Sequence, residues 1–259
     1  MDTGTFLTRL CSGALIGVVL GLVGGGGSIL AVPLLVYVVR IGSTHAAIGT
    51  AAVSVALNAL AGLIGHAHAG RVKWRCAGVF TTAGVTGAIL GAELGKAAGN
   101  ERLLFLFGLL MIGVGLWMLR KRRLPEVPDV RLTLESARAL LPRLVSIGLG
   151  VGLAAGFFGI GGGFLIVPGL MLATRMPISY AVGTSLVVIT ALGLTTATSY
   201  ALSGIVDWTV TALLIAGGVA GTAVGIVLGR TLTAHKDVLE RGFALVTMAV
   251  GIYVATSTL

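Results

Sequence analysis

The sequence predicts an all-α polytopic membrane protein made of two homologous repeats, inverted relative to each other. Each repeat is a glycine-rich broken, re-entrant helix followed by three transmembrane helices. Three observations predict this. The 259 residues are 56% hydrophobic and 10% charged, whereas a soluble globular chain is about 25% charged, and long apolar runs alternate with short charged clusters. The second half repeats the first at an offset of 134–135 residues. Four consecutive glycines interrupt the first apolar run, although glycine costs about 1 kcal/mol per position relative to alanine in a helix.

The duplication organises the chain. "GLVGGGGSILAVPLL" (21–35) and "GFFGIGGGFLIVPGL" (156–170) share eight of 15 positions. Gly49 and Thr50 return as Gly183 and Thr184, and "GRVKW" (70–74) returns as "GIVDW" (204–208). The first repeat, 1–119, holds apolar segments at about 12–39, 46–69, 76–95 and 103–119; the second, 144–259, holds them at about 145–173, 178–203, 209–229 and 239–257. Between them, 120–143 is charged and carries Pro125, Pro128 and Pro142. It reads as a cytoplasmic linker with a short surface helix after Thr133. Because the N-terminal segment has a mid-chain counterpart, it is expected to be mature structure rather than a cleaved signal.

The first segment of each repeat has about 28 residues, or about 42 Å as one straight helix, against a hydrocarbon core of about 30 Å. Split at its glycines, it gives two pieces of about 12 residues, each reaching just past the midplane. Charge arbitrates. If these segments enter and leave by one face, then Arg71, Lys73, Arg75, seven linker residues, Arg175, Arg230, Lys236 and Arg241 share one side. Only Arg9, Arg40, Lys96 and Arg102 lie on the other, a 14:4 partition. If every segment crosses, the partition is 11:7. The positive-inside rule favours the hairpins. Three crossings per half then invert one half relative to the other, a transporter plan.

Glycines at four-residue spacing, such as Gly84, Gly87 and Gly91 or Gly217, Gly221 and Gly225, read as helix packing seams. The glycine breaks themselves suit a binding site. Non-helical backbone at membrane depth persists only where it is buried in protein or lines a wet cavity, and a half-helix N-terminus offers free N–H donors to an anion. The candidate substrate-binding residues are Gly24, Gly25, Gly26, Gly27 and Ser28 in the first repeat and Gly159, Gly161, Gly162 and Gly163 in the second. Thr50 and Thr184, matched by the repeat, and Ser185 add hydroxyl donors. Pro33 and Pro168 are candidate structural hinges, expected in the first turn of each outgoing half-helix. His66, His68 and Glu93 are candidates for proton coupling, with packing or interfacial roles as the plainer reading.

Composition also excludes. The net charge of +9 sits at the ends of apolar runs, without an aromatic-interleaved basic groove, so nucleic acid is not an expected partner. Cys11 and Cys76 offer neither a disulfide framework nor metal spacing. No metal site, cofactor, nucleophile motif or nucleotide-binding loop is expected, and the chain does not read as an enzyme. Its expected partners are the lipid bilayer and a small anionic substrate.

"GxxxGxxGGGGSxxxVPxL" (17–35) and "GxxxGxxGIGGGxxxVPxL" (152–170), with the two Gly-Thr steps and the two "GxVxW" turns, resemble the sulfite exporter TauE/SafE family of membrane transporters. The resemblance covers both halves. It implies a secondary transporter exporting a small sulfur-containing anion, of the sulfite or organosulfonate type, across the bacterial inner membrane. Gly25 stands where the second repeat has Ile160, so the two breaks need not be equivalent. An anion channel, or a carrier of a different small solute, is the alternative.

Overall fold

A computed structural model describes residues 3–96, 100–120, 134–158, 163–231 and 236–257. All described secondary structure is helical: α1 Thr3–Val23, α2 Gly26–Pro33, a π-helical turn Leu34–Val38, α3 Thr44–His68, α4 Trp74–Lys96, α5 Asn100–Arg120, α6 Leu134–Phe158, α7 Gly163–Thr174, α8 Ile178–Leu202, α9 Trp208–Thr231 and α10 Lys236–Ser257. Among the described residues, five helices are long and apolar enough to cross a membrane: Gly4–Val23, Ala46–His68, Ser136–Phe158, Ile178–Leu202 and Trp208–Gly229. The apolar parts of α5 and α10 are shorter, Phe105–Arg120 and Ala244–Thr256. The protein is an all-helical polytopic membrane protein.

The first apolar segment breaks at its glycines. Gly24 adopts a φ of +69°, a left-handed conformation that costs other L-residues about 1–2 kcal/mol. The arms are unequal, however. α1 has 21 residues and α6 has 25, not about 12, because polar first turns carrying Arg9, or Glu135 and Arg138, extend each helix beyond its apolar run. The helix expected after Thr133 is therefore no separate surface element; it runs through Pro142 into the apolar segment. The prolines also differ from expectation. Pro33 is the last residue of α2, ahead of the π turn, and Pro168 lies mid-way along α7, so both sit past the first turn.

Glycine contacts fix the helix directions. A Cβ at Gly13, Gly17 or Gly21 of α1 meets backbone at Leu214, Gly218 or Thr222 of α9, so these two helices run parallel. α3 runs parallel to α9 as well: Gly62 faces Thr222 and Gly65 faces Ile226. Since α1 and α3 point the same way, the chain between them must reverse. α2 and the π turn make that return, with Gly27 against Ile16 and Leu20 of α1.

The second half packs likewise. Gly152 and Gly156 of α6 meet the carbonyls of Gly84 and Ala88, making α4 parallel to α6. Two further pairs are antiparallel: α3 on α8, with Gly49 at Tyr200 and Gly193 at Ala56, and α5 on α10, with Gly108 at Gly251 and Gly115 at Met248. The pairing is reciprocal, with α1 on α9 mirrored by α6 on α4. Left-handed residues recur at the same offset, Arg40 with Arg175 and Gly70 with Gly204. The expected glycine seams are the surfaces on which α4 meets α6 and α9 meets α1.

The core lies between α2, the π turn, α3, α4, α7 and α8, around Leu35, Phe80, Ile166, Leu170 and Leu186. Nearly every described side chain of α7 is buried. A short helix is thus enclosed by protein rather than lipid.

Candidate functional site

The first helix break meets the start of α7. A Cβ at Gly25 runs into the Gly163 carbonyl, and a Cβ at Gly163 runs into the Ser28 hydroxyl. On the other side of the break, the Ser185 Oγ lies 2.6 Å from where a Gly24 Cβ would sit. Gly24, Gly25, Ser28, Gly163 and Ser185, five of the expected substrate-binding residues, therefore share one place. Gly26 and Gly27 are buried in the adjoining first turn of α2. Gly159, Gly161 and Gly162 lie outside the described residues.

Backbone chemistry dominates this place. The first turn of any helix leaves N–H groups without intrahelical partners, and no side chain caps α2 at Gly25. The Ser28 Oγ donates to the Gly25 carbonyl at 2.7 Å, and the Ser185 Oγ donates to the Val182 carbonyl at 2.8 Å. Both hydroxyls are at most 3% exposed, and each needs only a rotation about χ1 to present its proton elsewhere. A recess of about one water's size adjoins Ser28, between Ala31 of α2, Ala51 and Val55 of α3, and Ile189 and Gly193 of α8. Ser28 is the polar side chain lining it.

Thr50 and Thr184 are fully buried, but their oxygens are engaged across the halves. Thr50 Oγ1 accepts the N–H of Asp207 at 3.2 Å, and Thr184 Oγ1 accepts the N–H of Lys73 at 3.1 Å. Asp207 and Lys73 are themselves repeat-matched and stand just before α9 and α4. The Asp207 carboxylate accepts from the N–H groups of Thr209 and Val210 at 3.0 Å, capping α9. Lys73 Nζ stands 4.7 Å from the centroid of the Tyr180 ring, a cation–π distance. Sequence reasoning matched the Gly-Thr steps and the "GxVxW" turns but did not join them. Their common offset was the available signal.

The two described candidates for proton coupling differ in exposure. His66 is buried at the end of α3, beside Gly183. His68 is exposed, its Nδ1 2.8 Å from the Ile64 carbonyl, and the Glu93 side chain lies outside the described ones. Asn58 is fully buried on α3, and its Nδ2 donates to the Leu214 carbonyl at 3.4 Å.

Residues 10–254 match the family described as Sulfite exporter TauE/SafE. A "Probable membrane transporter protein" of Xylella fastidiosa (strain Temecula1) is 46% identical over 254 residues, covering 98% of this chain and 96% of that one. The "Probable membrane transporter protein YdhB" of Bacillus subtilis is 29% identical over 212 residues, covering 82% and 85%. The "Probable membrane transporter protein MJ0441" of Methanocaldococcus jannaschii is 26% identical over 185 residues, covering 68% and 65%. No solved structure matches. The expected resemblance holds over both halves: this chain belongs to the sulfite exporter TauE/SafE family of membrane transporters.

Proposed function

We propose that the protein is a secondary carrier that exports a small sulfur-containing anion, of the sulfite or organosulfonate type, across the bacterial inner membrane. The anion binds where the two helix breaks meet. The observation that carries this reading is the backbone contact of Gly25 with Gly163 beside the uncapped start of α2. Backbone donors at a helix N-terminus favour an oxyanion. The neighbouring hydroxyls of Ser28 and Ser185 supplement them, and the unmasked glycines let the substrate approach the chain.

The inverted-repeat arrangement belongs to the same proposal. Antiparallel packing of α3 on α8 and of α5 on α10 supports a two-fold axis perpendicular to the helices. Parallel α1 and α3 support a re-entrant first segment. Trp74 and Trp208, matched and both exposed at opposite ends of the bundle, suit the two aromatic belts of a bilayer. Export needs no further energy source, because an inside-negative potential drives an anion outward by about 2.3 kcal/mol per charge per 100 mV.

The test is a flux assay in proteoliposomes, comparing sulfite, sulfate, thiosulfate and a short organosulfonate under an imposed potential. Saturable flux of one or more sulfur anions, lost in Gly26→Leu and in Gly161→Leu with protein still in the membrane, is the expected result. Non-saturating flux of all anions supports a channel instead. Normal flux in both variants removes the breaks from the pathway.

A further inference from the structure

Each half grips the other at one end of the bundle. At the end where α1, α3 and α9 begin, the turn into α9 donates the Asp207 N–H to Thr50, and the Tyr200 ring lies on Gly49, 3.0 Å from where its Cβ would be. At the opposite end, where α4, α6 and α8 begin, the turn into α4 donates the Lys73 N–H to Thr184, and His66 and Arg71 lie on Gly183. Gly49 matches Gly183, Thr50 matches Thr184, Tyr200 matches His66 and Asp207 matches Lys73. The Gly-Thr step is a socket: the glycine makes room for its visitor, the Tyr200 ring at Gly49 and the Arg71 carbonyl beside the His66 Cβ at Gly183, and the threonine oxygen satisfies a turn N–H that no helix bond can reach.

We propose that the two Gly-Thr sockets are the latches of the two gates. Thr50 with Asp207 holds one end of the pathway shut, and Thr184 with Lys73 holds the other. Both are closed here, the starts of α2 and α7 between them are in contact, and the recess at Ser28 has room for about one water. That combination is an occluded state. Opening toward one side needs the release of one latch while the other stays made, as alternation of two inverted halves around a fixed site requires. The latches are matched but not identical. Lys73 adds its contact with the Tyr180 ring of α8, whereas the Asp207 carboxylate is spent on its own helix, so the end bearing Asp207 is the more easily released. The assignment rests on transport itself and not on the identity of the anion.

The experiment uses the full chain with Cys11→Ala and Cys76→Ala, and Ser28→Cys as reporter. A membrane-impermeant thiol reagent is applied from either face, in spheroplasts and in inside-out vesicles, without substrate. Thr50→Val is expected to speed alkylation about five- to tenfold from the Asp207 face alone, the shift that loss of one hydrogen bond gives a two-state equilibrium. Thr184→Val is expected to do so from the Lys73 face alone. Thr50→Ser and Thr184→Ser keep the hydroxyl and restore slow labelling. Gly49→Ala, which pushes on the Tyr200 ring, and Gly183→Ala, which pushes on the Arg71 carbonyl, keep the hydroxyl and open the same ends as their neighbours. Unchanged rates, equal acceleration from both faces, or weaker substrate binding with unchanged labelling overturn the latches; the last result assigns the threonines to the substrate. A failure of sulfur-anion flux leaves this labelling pattern intact, and so separates the two proposals.

Discussion

Gly17 of α1 lies so close to the Gly218 carbonyl of α9 that no side chain fits between the helices, and Gly152 of α6 lies the same way against the Gly84 carbonyl of α4. Lipid gives helices no hydrophobic drive to associate, so close backbone packing must hold the halves together. α1 is clamped onto α9 of the other half, and α6 onto α4. The glycine seams are therefore structural, and their cost in helix propensity is met by contact.

That clamp separates two glycines on one helix. Gly152→Ala puts a methyl into the Gly84 carbonyl, whereas Gly150, two residues earlier, has open space around it. Overpacking costs about 1–3 kcal/mol, so Gly152→Ala is expected to lower the melting temperature in detergent by several degrees. Gly150→Ala should leave it unchanged or raise it. Fluorescence-detected size-exclusion after heating measures both, and equal melting of the two variants contradicts the seam.

A second contrast isolates the break. Gly24 and Gly70 have nearly the same left-handed φ, +69° and +67°. Alanine at either is expected to cost about 1–2 kcal/mol from backbone conformation. At Gly70 nothing lies within 4 Å, but at Gly24 the new Cβ also meets the Ser185 hydroxyl. Gly70→Ala should be less stable but transport normally per folded molecule. Gly24→Ala should lose transport. Comparable specific flux in the two variants argues that the break carries no substrate.

The two serines at the break test the donors themselves. A hydrogen bond to a charged group is worth about 1.5–3 kcal/mol, or roughly 10- to 100-fold in affinity. Ser28→Ala and Ser185→Ala remove hydroxyls that here bond only local carbonyls, so fold stability should change little. Substrate Kd from titration of purified protein is expected to rise at least tenfold in each. Wild-type Kd in both variants confines these hydroxyls to helix back-bonding.

Much of this was legible in the sequence, for local reasons. Four consecutive glycines inside an apolar run announce a break, because they forfeit helix propensity at adjacent positions, whereas a packing seam needs glycine only about every fourth residue. The repeat offset announces two matched halves. What stayed hidden was non-local or locally ambiguous. The true starts of α1 and α6 lie in polar turns that hydropathy reads as loop. Left-handed Arg40 and Arg175 have no compositional mark. The bond from Asp207 to Thr50 spans 157 residues, and only the shared offset of socket and turn hints at it. Within the site, Ser28 and Ser185 were named, but the contact of each with a glycine of the opposite half, Gly163 and Gly24, depends on helix directions that a single sequence does not print.

Those directions yield the last prediction. α1, α3 and α9 begin at one end of the bundle, and α4, α6 and α8 begin at the other, so the chain between α5 and α6 emerges at the end that bears Arg71, Lys73 and Arg75. Since α10 runs antiparallel to α5, it finishes at the end where α1 starts. The basic end is expected to face the cytoplasm, which places both ends of the chain in the periplasm. A green fluorescent reporter fused after Leu259 should stay dark and an alkaline phosphatase fused there should be active. The same pair inserted after Pro128 should give the reverse. A fluorescent fusion at Leu259 together with a fluorescent insertion at Pro128 makes the number of crossings in the second half even, and a re-entrant first segment in that half then fails.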